Sequence, residues 1–165
     1  MRPTIRCLAL CLGLALAAAA HAAGTVQVSY VQPDKFSDAG DSRRDVEANL
    51  TRLTRHFETL AGRYLHDGQK LSIEVLDVDL AGEVRPARRF NQDVRVLKGG
   101  ADWPRITLRY TLESAGQALR RGEQTIADMD YLRHINPYAS DEPLRYERRM
   151  LDDWFAAQFG AATTQ

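Results

Sequence analysis

The chain has 165 residues, with 22 basic and 22 acidic side chains, so its formal net charge at pH 7 is zero. This length suits one globular domain with its own core. The balanced charge argues against nucleic acid as a partner, because bulk binding to a phosphate backbone needs a basic surface.

The first 22 residues have the three parts of a cleavable secretory signal peptide. Arg2 and Arg6 form a positive n-region, residues 7–20 form an uncharged apolar run, and an Ala-His-Ala sequence ends at Ala22. This run is shorter than the roughly 20 residues that span a bilayer. We therefore predict cleavage after Ala22, a periplasmic location, and a mature domain over residues 23–165 without a transmembrane span.

Cleavage would remove both cysteines of the chain, Cys7 and Cys11. The mature chain would then form no disulfide and would depend on packing alone for its stability. It would lose Arg2 and Arg6 but no acidic residue, which leaves a net charge of about −2. Its last few residues are expected to be disordered.

Hydrophobic periodicity predicts a strand followed by a helix in the first part of the mature chain. Residues 25–31 alternate between apolar and polar side chains, as in a half-buried strand. Ser42 can cap a helix that ends near Leu65. The apolar stripe of this helix is Val46, Leu50, Leu53, Phe57, Leu60 and Tyr64.

The next segment, residues 70–80, reads as a strand whose alternation changes phase at Leu76. A change of phase by one residue indicates a bulge, a strand buried on both faces, or a sharp twist. It also places Asp77 and Asp79 on a common side of the strand.

Residues 82–104 are irregular apart from a short strand indicated at residues 94–96. Residues 105–113 then alternate strictly, as in an antiparallel strand with one wet face. A turn at residues 114–116 and weaker patterning over residues 117–127 predict its hairpin partner.

A last helix is predicted to start around residues 140–143, with Pro143 in its first turn, and to end at Gly160. Its apolar stripe is Leu144, Met150, Leu151, Trp154, Phe155 and Phe159. The element order β-α-β-(β)-β-β-α predicts an α+β two-layer sandwich, in which two helices pack on one face of a mostly antiparallel sheet.

Three segments carry a resemblance to a known family. They are LSIEVLDVDLAG at residues 71–82, DWPRITLRY at residues 102–110, and YERRMLDDWF at residues 146–155. Together they resemble an uncharacterised bacterial envelope family, domain of unknown function 3016, over nearly the whole mature chain. The resemblance implies a single exported domain and brings no activity, ligand or catalytic residue with it.

Asp77 and Asp79 are the first candidates for a site. Alternate strand residues place their carboxylates about 7 Å apart on one face. With Glu83 nearby, the pair could bind a divalent cation or perform acid–base chemistry on a glycan. The alternative is structural, since carboxylates at a strand end also cap it or pair with nearby arginines.

A basic group in the irregular segment is the second candidate, and its members are Arg85, Arg88, Arg89, Arg95 and Lys98. It could grip an anionic polymer or a phospholipid head group. The alternative is a solvated loop that neighbouring acids neutralise.

The histidines of the mature chain, His56, His66 and His134, are not at a metal-binding spacing. The sequence therefore predicts no metal site and no cofactor. Asp128 and Asp130 could orient His134 as a general base, although no nucleophile stands at a recognisable elbow.

These observations leave three hypotheses for function. The first is a small periplasmic binding or accessory module for an envelope component or a partner protein. The second is a periplasmic hydrolase that uses the acidic residues around Asp77 and Asp79, or Asp128 with His134. The third is a structural envelope protein that self-associates through exposed sheet edges. Enzyme activity is not expected, and the oligomeric state stays open.

Overall fold

The computed structural model describes residues 24–87 and 92–160, with two long helices and six strands among them. The predicted signal peptide, Arg88, Arg89 and the last five residues of the chain lie outside this part. In chain order the elements are β1 (Thr25–Tyr30), α1 (Arg43–Tyr64), β2 (Gln69–Asp79), β3 (Glu83–Ala87), β4 (Gln92–Val96), β5 (Arg105–Ser114), β6 (Gln117–Ala127) and α2 (Arg145–Phe159).

One four-stranded sheet has the order β1-β2-β5-β6. β1 runs parallel to β2, and the other two pairs are antiparallel. A parallel pair needs a crossover connection, which α1 supplies, whereas a tight turn suffices between β5 and β6. α2 packs with α1 against the same core. The α+β class with a mostly antiparallel sheet confirms the predicted fold class.

α1 begins and packs as its sequence pattern predicts. The hydroxyl of Ser42 accepts the backbone N–H of Asp45 at 3.2 Å, which satisfies one free donor of the first turn. Leu53, Phe57 and Leu60 are fully buried. The stripe therefore faces the sheet.

The phase change at Leu76 is a β-bulge. Val75 pairs with Leu108 and Asp77 pairs with Thr107, so Leu76 is an extra residue without a partner in β5. This lets Val75 and Val78, three positions apart, both be fully buried.

Two details differ from the prediction. Residues 83–87 form β3, which pairs with β4 as a separate two-stranded sheet, although the sequence indicated only the second of these strands. α2 begins at Arg145, two residues after Pro143, because Leu144 adopts a left-handed conformation with φ 58°. Pro143 therefore precedes the helix instead of lying in its first turn.

An aromatic cluster joins the two layers of the fold. Phe155 of α2 lies 6.1 Å from the ring centroids of both Phe57 and Tyr64 of α1. Trp154 packs edge-on against Tyr110 of β5 at 5.6 Å. Aromatic pairs in such geometry add stability beyond their buried area, so α2 is tied to both the helix and the sheet beneath it.

Candidate functional site

Asp77 and Asp79 both have partners inside the fold. The two carboxylate oxygens of Asp77 accept the backbone N–H and the hydroxyl of Ser37, each at 2.7 Å. Asp79 forms an ion pair with Arg105, its cross-strand neighbour on β5. Next to this pair, the N–H of Asp38 donates to Val78 at 2.9 Å, so the segment before α1 continues the sheet beyond β1. The two carboxylates therefore stabilise the fold by connecting β2 to residues that are distant in sequence.

Arg95 points inward from β4 and binds the same segment before α1. Its Nη1 and Nη2 lie 2.8 and 3.1 Å from the two carboxylate oxygens of Asp38, a bidentate pair. Nη1 also donates to the carbonyl oxygens of Ala81 and Gly82, and Nη2 lies 3.6 Å from Asp41. Burial disfavours its charged form, but Asp38 more than compensates and raises the pKa of Arg95 above its ordinary value. The guanidinium group of Arg95 therefore links parts of the chain that are distant in sequence.

The other described members of the basic group meet at one carboxylate. Arg85 lies 3.1 Å and Lys98 lies 2.6 Å from the same oxygen of Glu83. Hydrogen bonds from Lys98 and then Arg85 lower the pKa of Glu83. The structure thus separates Arg95 from Arg85 and Lys98, while Arg88 and Arg89 fall in the range that it leaves undescribed.

Glu147 is a buried carboxylate that the sequence analysis missed. Only 3 % of it is exposed, and its Oε1 accepts the backbone N–H of Ala81 at 2.8 Å. Burial raises the pKa of Glu147 above its usual range. The sequence does indicate that Glu147 is buried, because it lies three residues after Leu144 and four before Leu151, on the apolar stripe of α2. It lines a cavity of about 360 Å³ together with Arg95.

The loop between β6 and α2 begins with a turn. The side chain of Tyr131 anchors this turn in the interior of the protein. Only 1 % of Tyr131 is exposed, and its ring packs edge-on against Tyr146 at 4.9 Å. The N–H of Gly99 donates to its hydroxyl at 3.4 Å. These two contacts fix the side chain of Tyr131 and the backbone around it.

The same turn presents three apolar side chains to solvent. Met129 is 66 % exposed, Leu132 is 44 % exposed and Ile135 is 92 % exposed. We call these three residues the apolar turn. Exposed apolar side chains that occur singly are ordinary, but three of them on one anchored turn are typical of a contact surface.

Asp128 and His134 meet at the base of this turn. Nδ1 of His134 lies 3.1 Å from Oδ2 of Asp128, so the structure brings together the base and the orienter that the sequence suggested. Oδ1 of Asp128 accepts the N–H of Asp130, and the carbonyl oxygen of Asp130 accepts the N–H of Arg133 at 2.7 Å. The carboxylate of Asp130 pairs with Arg133, and its carbonyl oxygen also accepts the backbone N–H of His134, so Asp130 does not orient the imidazole ring. The Asp128 carboxylate closes the turn, next to a cavity of about 520 Å³.

Comparison with protein families shows a match over most of the chain. The family model described as "Protein of unknown function (DUF3016)" covers residues 24–157. The chain belongs to the DUF3016 family. This confirms the resemblance noted in the sequence, and the matched range includes the apolar turn, Arg95 and Glu147. No curated protein and no solved structure matches the chain.

Two further properties of this DUF3016 chain bear on its function. Neither helix that the structure describes has the length and apolar character needed to cross a membrane. Over residues 24–87 and 92–160, no group of three or more His, Cys, Asp or Glu side chains is arranged to hold a metal ion.

Proposed function

We propose that the protein is a periplasmic accessory module that binds a partner protein of the cell envelope through its apolar turn. The observation that carries this proposal is the exposure of Met129, Leu132 and Ile135 on a turn that Tyr131 anchors in the core. The export signal predicted from residues 1–22 supports the location.

The anchored turn suits protein binding energetically. A partner that meets a preformed surface does not have to order a flexible loop, which for each immobilised side chain costs roughly 0.5–1.5 kcal/mol. The contacts made by Asp128 and Tyr131 have already ordered this turn. Binding would therefore keep most of the free energy gained by burying the apolar side chains.

The charges beside the apolar turn favour a protein over a membrane. Asp130 and Arg133 are both well exposed and have opposite charges, so the rim is mixed in sign. An anionic membrane would attract the arginine and repel the aspartate. A mixed polar rim around apolar residues is common at protein interfaces.

The carboxylate contacts favour binding over hydrolysis as the function. Asp77 holds Ser37, Asp79 pairs with Arg105, and Asp128 closes the turn. Each carboxylate has a structural task that accounts for its position. The pair of Asp128 and His134 beside a cavity keeps a hydrolase as the second candidate.

Photo-crosslinking in living cells tests the proposal. A photoreactive amino acid at position 135 is expected to give a discrete crosslinked species with one protein, and Met129→Asp in the same chain should abolish it. Position 119 is the matched control, because Leu119 is 57 % exposed and lies on β6 outside the turn. Equal crosslinking from positions 135 and 119, no product at 135, or crosslinking to lipid alone would overturn the proposal.

A further inference from the structure

Three of the six residues that line a small cavity between the two helices are arginines. Its volume is about 280 Å³. α1 contributes two arginines, a histidine and a threonine, and the α2 side contributes a proline and an arginine; the residues are Arg52, Arg55, His56, Thr59, Pro143 and Arg148. We propose that this cavity binds the phosphate group of a phosphate ester. This site is independent of the apolar turn.

The positive charge of the cavity is largely uncompensated. Among residues 24–87 and 92–160, no carboxylate lies within ion-pair distance of Arg52 or Arg55, whereas Arg148 contacts Glu142. Nη1 of Arg52 donates at 3.1 Å to the side-chain oxygen of Asn49, which is neutral. Three guanidinium groups thus share one carboxylate partner.

The nearby Asp152 does not neutralise this charge. One of its oxygens lies 2.9 Å from Nε2 of His56, and the other accepts the hydroxyl of Tyr138 at 2.6 Å. Burial opposes its ionisation, but the contacts with His56 and Tyr138 outweigh burial and lower the pKa of Asp152. Asp152 is therefore ionised and turned toward its own partners.

Like charges in this arrangement repel each other. Arg52 and Arg55 are spaced i,i+3 on one helix and are therefore neighbours on its surface, and Arg148 faces them from α2. A bound anion would remove the repulsion. Among anions, phosphate fits best, because the planar guanidinium group donates two parallel hydrogen bonds to its oxygens.

Part of the cavity wall is already fixed before a ligand arrives. The guanidinium carbon of Arg148 lies 3.9 Å from the ring centroid of Tyr138, in cation–π contact. Nε2 of His56 lies 3.1 Å from the carbonyl oxygen of Arg148 and forms a hydrogen bond with it. Both contacts hold Arg148 in place, and little ordering is left for the ligand to impose.

Titration calorimetry with inorganic phosphate tests the site directly. Wild type is expected to bind phosphate, and Arg52→Gln and Arg55→Gln are each expected to raise its dissociation constant about tenfold, as for the loss of one charged hydrogen bond. Arg44→Gln is the matched control, since Arg44 is an exposed arginine of α1 outside the cavity and should leave binding unchanged. Thermal unfolding confirms that each variant is folded.

Two further ligands identify the source of the phosphate group. Glycerol phosphate represents a soluble ester, and vesicles of phosphatidylglycerol represent an anionic lipid head group. Phosphatidylcholine vesicles are the zwitterionic reference without net charge. Binding of either ligand that Arg55→Gln weakens supports the site and names its source. The proposal fails if wild type binds none of the three phosphate probes, or if Arg44→Gln weakens binding as much as Arg55→Gln.

Discussion

Glu147 lies on the apolar face of α2 and is almost completely buried. Its Oε1 accepts a hydrogen bond from the N–H of Ala81, two residues after the end of β2. A buried donor without an acceptor costs about 1–3 kcal/mol. Glu147 therefore joins α2 to the sheet through one hydrogen bond, at the expense of burying a carboxyl group.

This arrangement predicts how stability depends on pH. The pKa of Glu147 is raised by burial from its ordinary value of 4.5. At pH values above 4.5 and below the raised pKa of the folded state, the folded chain retains a proton that the unfolded chain has lost. The free energy of unfolding therefore falls as pH rises through this window. Glu147→Gln keeps an oxygen for Ala81 and abolishes the titration. We expect this variant to be more stable than wild type at pH 7, by about 1.4 kcal/mol for each unit of pKa shift.

Urea unfolding at several pH values between about 4 and 7 measures this difference. The advantage of Glu147→Gln should vanish at the acid end, where the carboxyl of wild type is also protonated. Glu58→Gln, an exposed position on α1, should follow wild type throughout. Parallel profiles for wild type and Glu147→Gln would contradict the prediction.

The candidate site could be predicted only in part, because contacts between distant residues are invisible in a pattern of neighbours. Arg95 looked like a member of a solvent-facing basic group, but its partner Asp38 lies 57 residues away in sequence. Asp128 and Asp130 are both close to His134 in sequence and were both predicted to orient it, but only the Asp128 carboxylate contacts the imidazole ring. The cavity at Arg52 and Arg148 could not be predicted from the sequence, because it exists only once α1 and α2 are packed together.

Among the elements, β2 carries the clearest agreement between sequence and structure. The change of phase at Leu76 required an irregularity in any fold that buries Val75 and Val78 together, and a bulge supplies it. β3 gave no such signal. It is five residues long, contains Pro86, and pairs only with β4, so neither alternation nor a long apolar run marks it.

The start of α1 allows a test of an element on its own. Ser42→Ala removes the hydroxyl that accepts the N–H of Asp45, and we expect a loss of about 1 kcal/mol in the free energy of unfolding. Thr51→Ala is the matched control, because Thr51 is exposed in the middle of the same helix, where alanine has the better helix propensity. Thermal and urea unfolding should show Ser42→Ala destabilised and Thr51→Ala unchanged or slightly stabilised. The reverse order would show that Ser42 does not cap α1.

Removal of the predicted signal peptide would leave a mature protein that is stable without disulfides. We expect the protein recovered from the periplasm to begin at residue 23, as mass spectrometry of its N-terminal peptide would establish. Because both cysteines lie before that point, a reductant should leave its melting temperature unchanged. Ala22→Leu alters the residue at −1 and should cause accumulation of the uncut chain. Recovery of the wild-type protein with residues 1–22 intact would contradict the prediction.

The position of α2 at the end of the chain has a consequence for the order of events during biogenesis. Trp154 and Phe155 complete the core, and Glu147 supplies the acceptor for Ala81. Under the proposed export, all three would leave a translocation channel after the rest of the core, because such a channel threads the chain from its N-terminus. Until they arrive, the sheet and α1 have no cover on that side. An exported chain would thus stay unfolded while it is threaded, and would acquire its native state only after its final turn of helix is released.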